Sequence, residues 1–328
     1  MNKAVLGLIS SLDYGQAQEF ENLAVVPLSA PGVQSPRYLT MEQAMASESL
    51  LITEINGGTV PELKVRNASA IPVLLIDGEE LVGAKQNRVL NTTVLLKENQ
   101  ETVIPVSCTE QGRWSFVSEK FDDSGVVMAA RIRGEHKASV TCSLRQSGRF
   151  SSDQGKVWQR IHNLAREAQV DAPTMAMKDV FERKSADIED YVRAFPLLPG
   201  QQGIAAFVDG RFVGCDLVSL PAAYETLHPK LIKSFAVEAV ISRRKDKSKE
   251  VNWVEKARQS IEAAQNAEEE RHRSVGYGID FRYESSNLVG SALVHEDCPI
   301  HTAFFRKESD DAGNPMASFK QRRRFRTS

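Results

Sequence analysis

The segment DGEELVGAKQNRVLN, residues 77 to 91, carries more reactive side chains than a surface turn needs. Glu79 and Glu80 are candidate catalytic carboxylates, able to serve as a general base or a divalent-metal ligand. Lys85 and Arg88 are candidates for holding a phosphate, because cationic donors suit an oxyanion. Three amides are candidates for orienting the ligand: Gln86, Asn87 and Asn91.

A second polar stretch, EQGRW, follows the apolar run TVIPVSC. Glu110 is a third candidate catalytic carboxylate, and Arg113 is a further guanidinium for phosphate. Trp114 offers a face on which a base or a nicotinamide ring would stack. An alternative stays open, in which the Trp packs inward over an Arg–Glu pair. Asp216, which follows Gly214 and Cys215, is a candidate for a pocket wall or for binding a metal.

Two other clusters are weaker. The segment RIRGEHKASV carries Arg131, Arg133, His136 and Lys137, and predicts either a phosphate contact or a solvated basic loop. The stretch VHEDCPIH (residues 294–301) would bind Zn or Mn only if the fold brought its side chains together, so no metal ligand is predicted and a divalent cofactor stays open. The motifs GxGxxG, GxxxxGK[ST], GxSxG and HExxH do not occur, which argues against four large enzyme classes.

The first half of the chain has the pattern of strands. Short apolar runs separated by turn residues predict an antiparallel β-rich block over residues 20–118, with turns at Asn56-Gly57-Gly58 and Asp77-Gly78 and one helix around MEQAMASES. If residues 79 to 91 are extended, Glu79 and Glu80 lie on opposite faces. Gly83 within this run indicates a bulge or a close backbone approach.

Helical periodicity starts near residue 153. DQGKVWQRIHNLAREA places Val157, Ile161 and Leu164 on one stripe, with Asp153 as the N-cap. DVFERKSADIEDYVRAF predicts a second helix. GQQGIAAFVDGRFVGCDLVSL predicts a hairpin turning at Asp209-Gly210, and a helix follows it. Strands return in YGIDFRYES, GSALVHED and IHTAFF.

These elements predict an α+β fold in a single large domain, with an antiparallel β-rich layer flanked by helices. We predict an α+β domain at 1–241, a charged helix or linker at 242–272, C-terminal strands packing on the main domain at 273–306, and a disordered basic tail at 307–328.

Composition narrows the class of protein. The 328 residues are 41% hydrophobic, so a substantial core can form. A net charge of -2 argues against nucleic acid or an anionic membrane as partner. The four cysteines have no C-x-x-C pair and predict a reducing, cytoplasmic setting. No segment reaches the roughly 20 apolar residues of a membrane span.

Four stretches together resemble the ARPP family: IDGEELVGAKQNRVLN (76–91), IPVSCTEQGRWSF (104–116), QGKVWQRI (154–161) and GQQGIAAFVDGRFVGCDLVSL (200–220). The resemblance runs from about residue 15 to residue 240, and IDFRYES with SALVHEDCPIHTAFF is similar to the family's C-terminal portion. It implies an intracellular bacterial domain associated with ADP-ribosylglycohydrolases and rhodanese-phosphatase proteins, with a part in NAD or ADP-ribose metabolism. Association of this kind does not give a mechanism.

Two functions from different classes fit these observations. The first is binding of an anionic, nucleotide-like ligand such as ADP-ribose or an NAD-derived compound, with hydrolysis or transfer as the reaction if the domain is an enzyme. The second is a non-catalytic module whose polar residues form a structural network, with another protein or a second copy of the chain as partner. Carboxylates that face an open concavity with Arg113 favour the first, and carboxylates consumed by buried pairs favour the second.

Overall fold

The structure, a computed structural model, describes residues 1–55, 61–242 and 251–307. Within these ranges the helices are α1 Lys3–Ser10, α2 Met41–Ala46, α3 Ala130–Ser147, α4 Gln154–Glu167, α5 Met177–Arg183, α6 Ser185–Ala194, α7 Pro221–Ser242 and α8 Trp253–Glu262. The strands are β1 Asp13–Tyr14, β2 Gln18–Phe20, β3 Leu23–Ser29, β4 Leu39–Thr40, β5 Leu50–Glu54, β6 Glu62–Asn67, β7 Val73–Leu75, β8 Glu79–Gly83, β9 Arg88–Leu90, β10 Val94–Leu96, β11 Gln100–Cys108, β12 Phe121–Val127, β13 Gly203–Val208, β14 Arg211–Val218, β15 Glu268–Arg273, β16 Ile279–Glu284, β17 Leu288–His295 and β18 Cys298–Arg306.

Some predictions concern residues outside the described ranges. They are the turn at Asn56-Gly57-Gly58, residues 243–250 of the charged segment, and the basic tail after Lys307. The domain boundaries near residues 241 and 273 stay predictions.

The described strands form three sheets. A nine-stranded sheet has the order β1-β3-β13-β14-β18-β17-β16-β15, with β2 also paired to β3. A six-stranded sheet has the order β12-β8-β9-β11-β6-β5, and a three-stranded sheet has the order β10-β7-β4. The pairing is antiparallel apart from the parallel pair β4 and β7. The predicted α+β class, with strands in antiparallel sheets within a single domain, is therefore confirmed.

The predicted block of residues 20–118 is divided between these sheets. β3 has the sequence LAVVPLS and is buried along nearly its whole length, so it needs cover on both faces. It lies beside β13 in the nine-stranded sheet, where a hydrophobic core covers each face, while β4 to β12 form the two smaller sheets. The C-terminal strands join the large sheet through the pairing of β18 with β14.

Three hydrophobic cores hold the layers together. One lies between the large sheet and the helices α3 to α7. A second covers the opposite face of the large sheet with α1 and α8, where Trp253, Ala257 and Ile261 are buried. A third fills the smaller sheets and includes Met41 and Ala44 of α2. No helix within the described ranges is long and apolar enough to cross a bilayer.

The helical predictions hold with one change. Val157, Ile161 and Leu164 are buried on α4, and Asp153 caps the helix by accepting a hydrogen bond from the Lys156 N–H (3.2 Å). The predicted second helix is divided at Lys184 into α5 and α6. The predicted hairpin is formed by β13 and β14, and α7 follows it.

Candidate functional site

A sharp turn joins β8 to β9 and carries three of the predicted ligand residues, Lys85, Gln86 and Asn87. Gly83 has φ 136° and Ala84 has φ 43°, so the chain does not stay extended from residue 79 to residue 91. A Cβ on Gly83 would lie 2.5 Å from the Lys120 carbonyl oxygen and 2.7 Å from Ser118 Oγ. The close backbone approach predicted at Gly83 is therefore confirmed. It holds the turn, residues 84–87, against the start of β12.

Replacing Gly83 with alanine should lower the free energy of unfolding by roughly 2–3 kcal/mol, because the new Cβ meets backbone and the φ angle is strained for any L side chain. Gly7→Ala is the control, since Gly7 lies within α1 and a Cβ there would meet nothing within 4 Å. Urea unfolding of both variants measures the difference. Equal stabilities would contradict the argument.

Arg113 fixes the shape of this turn. Its Nε donates to both oxygens of Glu110 (3.0 and 2.9 Å), and Nη2 lies 2.6 Å from Glu110 Oε2. Nη1 donates to the Ala84 carbonyl (2.8 Å), and Nη2 donates to Asn87 Oδ1 (3.0 Å). The Asn87 N–H donates in turn to Glu110 Oε2 (3.2 Å). With all three nitrogens engaged, Arg113 positions the turn.

Arg88 lies under the turn, at the start of β9, and its side chain is 0% exposed. Nη1 donates to Gln86 Oε1 (3.1 Å) and to Cys108 Sγ (2.8 Å). Nη2 lies 3.8 Å from Glu54 Oε1, which is too far for a hydrogen bond. Nε and Nη2 have no hydrogen-bond partner within the described residues. These two nitrogens form the edge of a guanidinium that receives a carboxylate or phosphate side-on.

Aromatic side chains are exposed beside the turn. Trp114, Phe116 and Val117 are 54%, 58% and 64% exposed. Lys85 Nζ lies 5.5 Å from the centroid of the Trp114 ring and 4.9 Å from that of Phe116, within the range of cation–π attraction. Trp114 therefore does not pack inward, and its exposed ring lies with that of Phe116 beside Lys85 of the turn.

Glu79 lies away from the turn, in an ion cluster between β8 and α7. It is buried and lies 3.2 Å from Lys230 Nζ, which also contacts Asp123 and lies 3.3 Å from Glu42. Burial raises the pKa of Glu79, and the Asp123 carboxylate adds to this, while the Lys230 ammonium opposes it. Burial alone would lower the pKa of Lys230, but Glu79 and Asp123 hold it above its ordinary value.

Glu80 is buried near Lys178 of α5. Thr109 Oγ1 donates to Glu80 Oε1 (2.6 Å), and Glu80 Oε2 has no hydrogen-bond partner within the described residues. Burial raises the pKa of Glu80 to about 8, although the Thr109 hydroxyl and Lys178 oppose the shift. Glu80 is therefore a neutral acid near pH 7. Glu79, Glu80 and Glu110 each contact a buried partner instead of facing an open concavity. For these three residues, this favours the alternative in which the polar side chains form a structural network.

Two other predicted residues, Asp216 and Asn91, lie beneath α3 and outside the turn. Asp216 belongs to an ionic centre that we define as Asp77, Arg133, Lys137, Asp216 and His301, each at most 2% exposed. Arg133 Nε donates to Asp77 Oδ2 (3.2 Å), and Arg133 Nη1 donates to Asp216 (2.9 Å). Lys137 Nζ lies 2.8 Å from Asp77 Oδ2. Burial by itself would raise the pKa of Asp77, but Arg133 and Lys137 hold it well below its ordinary value.

His301 joins the ionic centre from β18, and it also contacts Thr93, the residue before β10. His301 Nε2 lies 3.1 Å from Asp216 Oδ1, and Thr93 Oγ1 lies 2.8 Å from His301 Nδ1. Asn91 Oδ1 lies 3.1 Å from His136 Nε2. Burial lowers the pKa of His136 to about 4, so its imidazole is neutral near pH 7.

The basic segment RIRGEHKASV lies in the helix α3, so the alternative of a solvated loop is wrong, whereas the alternative of a phosphate contact stays a prediction. Arg133, His136 and Lys137 are buried on α3. The pattern of charges is misleading here because the acidic partners are far away in the chain: Asp77 lies in the turn before β8, and Asp216 lies in β14. The spacing of Arg133 and Lys137, which puts both on one helix face, is the signal that could have found them. Asp77 and His301 carry no comparable signal.

The residues of VHEDCPIH are not brought together. His301 belongs to the ionic centre, whereas His295 stacks on Tyr277 with ring centroids 4.7 Å apart. Glu296 and Asp297 form the turn between β17 and β18. Among the residues that the structure describes, no group of three or more His, Cys, Asp and Glu side chains is arranged to hold a metal ion.

An open cavity of about 700 Å³ lies elsewhere, along β15 to β17. Arg271 and Phe281 line it together with three carboxylates, Glu269, Glu296 and Asp297. None of the predicted site residues does so. The predicted site residues therefore lie outside this cavity: at the turn, in the buried contacts of Glu79 and Glu80, and beneath α3.

One comparison with known proteins finds a match. The model of a family described as ARPP-1, ARG and Rhodanese-Phosphatase-superfamily-associated Protein domain, matches residues 11–305. No curated protein and no solved structure matches the chain. The match includes the turn, the ionic centre and the C-terminal strands.

Proposed function

The chain belongs to the ARPP-1 family, and from this premise we propose that it binds an anionic, nucleotide-like ligand, ADP-ribose or an NAD-derived compound, at the turn of residues 84–87. The family is associated with ADP-ribosylglycohydrolase and rhodanese-phosphatase systems. We take the ligand class, ADP-ribose or an NAD-derived compound, from this association. The Arg88 guanidinium under the turn supports an anionic ligand.

One observation carries the proposal. Arg88 is fully buried, and its Nε and Nη2 have no hydrogen-bond partner within the described residues. A buried donor without an acceptor costs about 1–3 kcal/mol, and more when it is charged. A phosphate on this edge would satisfy both donors at once.

The neighbouring side chains supply the other contacts that a nucleotide needs. Lys85 adds a second positive charge, and the exposed face of Trp114 is available for stacking on a base. Gln86 orients Arg88 through its Oε1. Arg113 and Glu110 hold the turn in shape, so we propose them as positioning residues.

The proposal concerns binding and leaves Glu79 and Glu80 out of the site. Glu79 is engaged by Lys230, away from the turn, and Glu80 is engaged by Thr109, whose N–H donates to the Asn87 carbonyl (3.0 Å). Asn91 and Asp216 belong to the buried network under α3. If the bound ligand is processed, Glu110 is the predicted carboxylate nearest to it.

Thermal-shift measurements with ADP-ribose, NAD, nicotinamide mononucleotide and AMP test the proposal. A ligand at 100 times its Kd adds about 2.7 kcal/mol of stability, which raises the Tm by several degrees. Trp114→Ala should weaken binding by about 10-fold or more, because one base–aromatic stack contributes about 1–3 kcal/mol. Trp114 is exposed, so the variant should fold.

Lys85→Ala should weaken binding in the same assay because it removes a cation beside the phosphate. Lys256→Ala is its matched control, since Lys256 also lies over a tryptophan ring, that of Trp253, at 5.4 Å. The control should bind like the unaltered protein. Absence of a shift with every compound would refute the proposal.

A second candidate function is a non-catalytic protein-interaction module. The contiguous exposure of Trp114, Phe116 and Val117 favours it, because exposed aromatic groups mark many protein interfaces. The buried pairing of Glu79, Glu80 and Glu110 favours it as well. A Trp114→Ala variant that keeps ligand affinity but loses a co-purifying protein would support the module.

A cytoplasmic location is part of the proposal. All four cysteines are free, as expected for a reducing compartment.

A further inference from the structure

Glu54 lies beside Arg88, at the end of β5, and no sequence motif points to it. Its side chain is 6% exposed. Oε1 accepts a long hydrogen bond from the Lys85 N–H (3.4 Å) and lies 3.8 Å from Arg88 Nη2. Oε2 has no hydrogen-bond partner within the described residues. Glu54 and Arg88 therefore form a long ion pair, in which Glu54 Oε2 and Arg88 Nε and Nη2 have no hydrogen-bond partner among the described residues.

The chemistry of these atoms restricts what they would bind. A carboxylate oxygen accepts hydrogen bonds from hydroxyls, and Asp or Glu commonly holds the hydroxyls of a ribose. The Nε–Nη2 edge of Arg88 suits a phosphate. Glu54 Oε1 lies 3.8 Å from Arg88 Nη2, so a hydroxyl and a phosphate carried by one pentose can contact both side chains.

We propose that Glu54 recognises the vicinal hydroxyls of a ribose while Arg88 holds the attached phosphate, so that the ligand of this site is a ribose phosphate or a nucleotide built on one. The inference rests on the proposed function and makes it more specific. Glu54 thereby becomes the residue that distinguishes ribose from deoxyribose.

Calorimetric titration with ribose 5-phosphate and 2-deoxyribose 5-phosphate, and with AMP and 2′-deoxy-AMP, tests the inference. Loss of the hydroxyl that donates to Glu54 should weaken binding by about 10-fold or more, because hydrogen bonds to charged groups are the strong ones. Glu54→Gln should weaken binding of the ribose compounds and reduce this preference to less than about 3-fold. Gln keeps an acceptor oxygen and the shape of the side chain, so the variant should fold.

Glu101→Gln is the matched control. Glu101 lies on β11 with its side chain 58% exposed, and its ion pair with Lys64 is long at 3.9 Å. This variant should keep the full preference for ribose. The Tm of both variants, measured without ligand, separates a binding effect from loss of fold.

Each outcome is decisive. A ribose preference that disappears in Glu54→Gln supports the inference. Equal binding of the ribose and deoxyribose compounds, or a preference that Glu54→Gln leaves intact, overturns it and leaves the proposed function standing. Failure of all four compounds to bind overturns the inference for ribose phosphates, and the wider nucleotide screen then decides the proposed function by itself.

Discussion

Replacing Arg133 with methionine should lower the free energy of unfolding by about 3–5 kcal/mol, the cost of breaking a buried ion pair from one side. Arg133 is fully buried between Asp77 and Asp216. Without it, the partners that remain among the described residues are His301 for Asp216, and Lys137 and His301 for Asp77. Urea denaturation at pH 7 measures the change.

Arg131→Met is the control on the same helix. Arg131 is 29% exposed and pairs with Glu167 at 2.7 Å near solvent, so its replacement should cost less than about 1 kcal/mol. Adding Asp216→Asn to Arg133→Met should recover part of the loss, because it removes the negative charge of a buried carboxylate that has lost its arginine partner. A loss below about 1 kcal/mol for Arg133→Met alone would contradict the electrostatic argument.

Replacing Glu80 with glutamine should change how stability depends on pH. Burial raises the pKa of Glu80 from 4.5 to about 8 in the folded protein. Between these values the folded state holds a proton that the unfolded state has lost, so the contribution of Glu80 to stability falls as pH rises. It is fully present below about pH 4.5 and fully lost above about pH 8. The loss is roughly 5 kcal/mol over this interval, at 1.36 kcal/mol for each pKa unit.

The measurement is the difference in unfolding free energy between Glu80→Gln and the unaltered protein at several pH values. This difference should rise in favour of Glu80→Gln from pH 4.5 to pH 8 and then level off. Other groups titrate in both proteins and cancel. Glu101→Gln, an exposed substitution, should show a flat difference. A flat difference for Glu80→Gln would mean that water reaches this carboxyl in the folded state.

Local patterns were sufficient for much of the fold. The stripe of Val157, Ile161 and Leu164 predicts α4, and Asp209-Gly210 predicts the β13–β14 hairpin, because both signals depend on neighbours in the chain. Gly83 is predictable for the same reason, since the missing side chain is itself the signal. The apolar sequence of β3 predicts that the strand is buried, but it does not predict which sheet the strand joins, because strand pairing depends on residues that are distant in the chain.

The site was only partly predictable for a related reason. Lys85 and Arg88 are near neighbours in the sequence, so one turn brings them together. Glu79 and Glu80 are adjacent too, yet Glu79 pairs with a lysine 151 residues away and Glu80 with a threonine 29 residues away. The contacts of Arg133 are 56 and 83 residues away. Periodicity carries no information about partners at such separations.

The order of strands in the large sheet has a consequence for synthesis on the ribosome. β14 pairs on one side with β13, its neighbour in sequence, and on the other side with β18, which leaves the ribosome more than 80 residues later. Until β18 arrives, β14 has an open edge, and open edges are where nascent chains associate with one another. The same delay leaves Asp216 without His301. Premature termination within β15 to β17 should therefore yield aggregates rather than a smaller folded protein.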